Sequence, residues 1–180
     1  MKHKGTLWIT MTAVFIALLI VAQVVTAPLS QFVTGSLVNL ILIVSVMTCG
    51  FSSGLTVALI SPLFAKLLGI GPLWTIIPFV MLGNAVLILI WYLIGKMKFT
   101  NKHIVRIITL IIAAVCKFLV LYLGIVQLAI PLFLNLPANQ AAVISSMFSF
   151  PQLITALIGG AIAILILPVV EKVRAKRNSF

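Results

Sequence analysis

From residue 7 to residue 26 the chain carries no charged side chain, and apolar runs of similar character recur as far as residue 170. About 20 apolar residues coiled as a helix match the ~30 Å hydrocarbon core of a bilayer. Inside hydrocarbon every backbone N–H and C=O must be satisfied within the protein, which leaves helices or closed barrels. Barrel strands alternate polar and apolar residues in segments of about ten, and no segment here does so. The fold class is therefore all-α: a polytopic membrane protein. Composition agrees, since 63% of the residues are hydrophobic and 7% charged, against about 25% charged in soluble domains.

Six spans are the most economical reading, over about 7–26, 37–50 (short), 54–70, 73–95, 104–130 (long enough to tilt or project) and 151–170. Together they form one six-helix transmembrane domain over residues 1–180. The net charge of +11 would suggest a nucleic-acid partner in a soluble protein. Here the basic residues cluster at Lys2 and Lys4, at Lys96, Lys98, Lys102 and Arg106, and at Lys172, Arg174, Lys176 and Arg177. That is the positive-inside pattern. It predicts cytoplasmic N- and C-termini, a plasma-membrane location and no nucleic-acid role. The predicted outer connections, 27–36, 71–72 and 131–142, carry no charge, and the inner turn between spans two and three reads Gly50-Phe51-Ser52-Ser53-Gly54. Pro28, directly after Val25-Thr26-Ala27, argues against signal cleavage, so the first helix is expected to be retained.

Chemistry on a substrate is not supported. There is no paired carboxylate, no Ser/His/Asp set and no phosphate loop, and no cofactor motif. Glu171 is the single acid, placed in the basic C-terminal tail. His3 and His103 fall in basic cytoplasmic segments, and Cys49 and Cys116 read as packing residues.

Against that background Lys66 and Lys117 stand out, because each sits inside a span with no acid nearby. An ammonium there must reach water, lean on carbonyls or meet an anion from outside. Lys117 lies about 13 residues past Ile104, or ~20 Å along the helix, too deep for easy snorkelling. Its candidate roles are satisfaction by carbonyls and water, or anion binding. Lys66 lies in the outer half, where its stem can snorkel or face the same externally open cavity. Asn84, Asn39, Gln127, Gln152 and Gln31 supply neutral hydrogen-bonding groups. A lone intramembrane Asn also serves as interhelical glue. Trp74 is either an interfacial belt residue or a ligand-stacking one. Ala13 and Ala17 put two small residues on one face of the first helix, a spacing that lets another helix approach closely.

The Ala13–Ala17 pair, six spans and a polar first outer loop resemble the substrate-binding S components of energy-coupling factor (ECF) vitamin transporters. The segments 33–39 (Val-Thr-Gly-Ser-Leu-Val-Asn), Ser61-Pro62-Leu63, 69–72 and 78–85 (Pro-Phe-Val-Met-Leu-Gly-Asn-Ala) are similar to the pantothenate-type and cobalamin-precursor-type branches. The resemblance implies capture of a small-molecule vitamin from outside. It also implies docking on a transmembrane T component through Ala13 and Ala17, and energy from two cytoplasmic ATPase subunits. Acid-free lysines favour an anionic cargo such as pantothenate. Two other functions stay open: a stand-alone secondary carrier of an organic anion, and a structural subunit with no ligand cavity.

Overall fold

The computed structural model describes residues 2–71, 73–95, 97 and 102–177. Pro72, Lys96 and Lys98 lie outside them, as do the side chains of Lys2, His3, Lys4, Lys102, Arg174, Lys176 and Arg177. Helix α1 spans Lys2–Thr26, α2 Gln31–Cys49, α3 Phe51–Leu67, α4 Ile77–Leu93 and α5 Lys102–Leu121. A 3-10 turn, Trp74–Ile76, leads into α4. A π-helical stretch, Tyr122–Ala129, prolongs α5 into α6 (Ile130–Phe133), and α7 (Ala138–Met147) and α8 (Phe150–Arg177) follow. No strand occurs among the described residues. Five helical stretches are long and apolar enough to cross a membrane, and α3, at 17 residues, is a shorter apolar helix. The expected class, an all-helical membrane protein, is what the structure has.

The structure departs from the sequence expectation at four places. Helix α2 starts at Gln31 rather than near residue 37. Ser30, in extended backbone, accepts a hydrogen bond from the Val33 N–H at 3.3 Å and so caps the helix. The five-residue inner turn shrinks to Gly50, whose φ of +94° reverses the chain at a conformation that side chains disfavour. Residues 51–54 already belong to α3. The connection 131–142 is no single loop, because α7 begins at Ala138 behind Pro137. None of α7's residues is buried, which is why its apolar periodicity is faint. Finally, α8 continues to Arg177, so Glu171 is on a helix and not in a loose tail.

Membrane packing shows most clearly in α5. Ile104, Ile107, Ile108, Ile111, Ile112 and Val115 are exposed on one side, as befits a lipid-facing surface. The opposite stripe, Arg106, Thr109, Ala113, Lys117 and Leu121, is buried at helical spacing of three and four. This helix is amphipathic with its polar side turned inward. Arg106 is 5% exposed, and its guanidinium meets the Glu171 carboxylate on α8 at 2.6 Å. That pair joins the start of α5 to the last turns of α8. Glu171→Gln would leave a buried guanidinium without its counter-charge. Because Glu171 is 46% exposed, water softens the loss, and the expected destabilisation is about 1–2 kcal/mol. A melting measurement in detergent on the variant checks this.

Helices α2 and α8 pack closest. A Cβ on Gly159 of α8 would collide with the Ser36 carbonyl oxygen and come within 2.8 Å of the Asn39 Cβ. Absence of that atom lets α8 lie directly on α2, as small residues do between membrane helices. The main core gathers Leu42, Ile43 and Val46 of α2, Val57 of α3, Leu87, Ile88 and Trp91 of α4, and Leu167 of α8. A smaller cluster, Ile76, Leu121, Ile125 and Phe148, sits at the other end of the bundle. Helix α1 packs mainly along α2 and α3, leaving Ala13 and Ala17 exposed.

Candidate functional site

A cavity of about 300 Å³ opens at the end of the bundle remote from the Arg106–Glu171 pair. Its walls come from the last turns of α1 (Gln23), the first half of α2 (Gln31, Thr34, Asn39), and α3 (Ser61, Pro62, Ala65). The first half of α4 (Val80, Asn84), the second half of α5 (Lys117, Leu121) and the α7–α8 corner (Met147, Phe148, Gln152) close it. The volume is at the small end of the range for small-molecule sites.

Lys117 is the charged residue in this wall, and it is 3% exposed. Its Nζ donates to Asn39 Oδ1 at 2.6 Å and to Asn84 Oδ1 at 2.7 Å. Both acceptors are buried amides, one on α2 and one on α4. Asn39 is in turn oriented by α8: its Nδ2 donates to Thr155 Oγ1 at 3.4 Å, and that hydroxyl donates to the Gln152 carbonyl at 3.1 Å. With its N–H group turned to Thr155, Asn39 must present oxygen to the lysine. Four helices thus cooperate to hold one ammonium in place.

This arrangement has a definite electrostatic character. Amide oxygens satisfy two of the three ammonium donors but carry no net charge, so the positive charge is hydrogen-bonded and not neutralised. No carboxylate lies in the wall, since the sole acid is engaged by Arg106 at the other end. When protonated, Lys117 offers one further donor and a positive charge with no counter-charge in the wall to whatever fills the cavity.

The structure brings Lys117, Asn39, Asn84, Gln31 and Gln152 to one cavity and leaves the other sequence candidates apart. Lys66 is not among the lining residues; its Nζ lies 6.0 Å from the ring centroid of Trp74, at the limit of a cation–π contact. Trp74 is 56% exposed. Gln127, on the π-helical stretch, donates to the Tyr122 hydroxyl at 2.9 Å and does not line the cavity. Sequence reasoning missed Gln23, Thr155, Met147 and Phe148. Gln23 and Thr155 carried a signal, being polar residues inside expected spans; Met147 and Phe148 had none beyond hydrophobicity. Among the described residues no group of side chains suits a metal ion.

A helical membrane protein with a ligand-sized, mainly apolar cavity into which a few polar side chains converge near one end of its bundle belongs to the class of membrane solute-binding and transport proteins. The family described as ECF transporter, substrate-specific component, matches residues 8–171, and the chain belongs to that family. It is a transporter component rather than an enzyme. No curated protein and no solved structure matches it.

Proposed function

We propose that the protein captures a small, water-soluble, anionic vitamin from outside the cell, with pantothenate as the favoured cargo. The observation that carries this reading is the Lys117 ammonium, buried in the cavity wall and held only by the neutral oxygens of Asn39 and Asn84. A ligand carboxylate supplies the missing charge and accepts the third hydrogen bond. Asn39 and Asn84 act as the rigid frame that aims the lysine. The cavity volume favours a compact vitamin over a cobalamin precursor. A stand-alone carrier finds less support, because ion coupling commonly uses an intramembrane acid and the cavity wall holds none.

In this reading all six long helices span the plasma membrane and both termini are cytoplasmic. The three basic clusters then lie inside and the cavity opens outward. Ala13 and Ala17 form the contact with a T component, and two ATPase subunits drive release. Supporting this, both alanines are exposed on α1, where a partner helix can approach closely.

Two measurements test the proposal. A thermal-shift screen against water-soluble vitamins should single out an anionic one, since ligand raises the melting point by mass action. Ala13→Leu with Ala17→Leu should abolish ATP-driven uptake while leaving ligand affinity within about twofold, since lipid-facing leucines are tolerated but keep a partner helix at a distance. Uptake by the purified chain alone in vesicles would overturn the S-component mechanism in favour of a carrier.

A further inference from the structure

We propose that Gln31 and Gln152 are positioning residues: together they clasp the α7–α8 corner over the cavity and set how fast ligand passes in and out. The inference rests on reading the cavity as a ligand site. Gln31 Nε2 donates to the Met147 carbonyl oxygen at 2.5 Å, and Gln152 Nε2 donates to the same oxygen at 3.1 Å. Gln31 opens α2 and Gln152 lies in the first turn of α8. One carbonyl at the end of α7 therefore ties together two helices that flank the cavity. It has two acceptor positions, and both are filled.

The clasp matters because little else holds this corner. Helix α7 buries none of its residues. Its attachment is the Met147 carbonyl, Phe148, which is buried against Ile76, Leu121 and Ile125, and the half-buried Ile144, which packs on the same cluster. Met147 and Phe148 also border the cavity. Segments with few buried contacts open at low free energy, while the packed core stays closed. Breaking two hydrogen bonds and withdrawing one aromatic ring uncovers the cavity without disturbing the long helices. With their N–H groups committed to Met147, the two glutamines serve the roof and leave recognition to Lys117, Asn39 and Asn84.

Gln31→Met and Gln152→Met keep side-chain length and remove the donors. They are tested singly and together in the full chain in lipid nanodiscs. Without ligand, hydrogen exchange across residues 138–148 should rise about tenfold in the double variant, with exchange in α2 and α4 unchanged. With radiolabelled pantothenate, association and dissociation should both accelerate, by about tenfold in the double variant. A weakened Kd with an unchanged association rate would make the glutamines direct ligand contacts and overturn the clasp. Unchanged exchange across α7 would overturn it as well. Exchange reads the clasp with no ligand present, so failure of pantothenate to bind counts against the cargo assignment alone.

Discussion

Lys117→Met abolishes tight binding of the anionic ligand without unfolding the protein. Methionine fills most of the lysine's volume but carries neither charge nor donor. Truncating one partner of a buried, hydrogen-bonded charge pair costs about 2–5 kcal/mol of affinity, a loss of roughly thirtyfold to several thousandfold. The effect on the empty protein is smaller. Removing the buried charge lifts a desolvation penalty, which offsets part of the cost, about 1–3 kcal/mol per group, of leaving the Asn39 and Asn84 oxygens without their donor. The ligand-free Lys117→Met variant should therefore stay folded and melt modestly below wild type, while Lys117→Ala, which also leaves a void, melts lower still and likewise loses binding. A Lys117→Met variant that fails to bind because it no longer folds would show Lys117 to be a structural residue.

Gly159→Val has the largest expected effect on the fold. The close contact of α8 with α2 leaves no room for a side chain, because even a Cβ would strike the Ser36 carbonyl oxygen and crowd the Asn39 Cβ and the Leu40 nitrogen. Backbone cannot yield as the end of a flexible side chain can. Overpacking of this kind costs about 1–3 kcal/mol or more, a fall of about 2–12 °C in melting temperature for a chain of this length. The damage reaches the site, since Asn39 moves with the strand of contacts that Gly159 allows. Gly5→Ala is the control: nothing lies within 4 Å of a Cβ there, so its melting point should not fall.

Much of this architecture was legible because lipid imposes a simple rule on sequence: stretches that must cross it cannot carry unpaired charge. The long apolar helices followed from that rule, while the connections between them did not. It also singled out Lys117, whose charge cannot be explained by lipid exposure. The rule says nothing where the chain leaves hydrocarbon. Ser30 capping α2, Gly50 turning between α2 and α3, and α7 with no buried face all depend on hydrogen bonds and backbone conformation that hydropathy does not encode. The pairing of Arg106 with Glu171 was hidden for a different reason. It spans 65 positions in the chain, and only the packing of α5 on α8 brings the two together.

The candidate site divides along the same line. That Lys117, Asn39 and Asn84 are polar groups needing partners is plain from the sequence, but their convergence depends on three helices meeting. Lys66 shows the converse. Its depth along α3 placed it near the cavity, yet helix rotation turns it toward Trp74. Depth can be counted from a sequence, whereas rotation about a helix axis is set by packing.

The most direct test of the account is calorimetric titration of wild type and Lys117→Met with pantothenate and with the neutral alcohol in which its carboxylate is replaced by a hydroxymethyl group. The account predicts that wild type prefers the carboxylate by at least thirtyfold and that Lys117→Met abolishes the preference, binding both ligands equally weakly. Equal affinity of wild type for the two ligands, or a preference that survives in Lys117→Met, would contradict the assignment of the buried ammonium as the anion site.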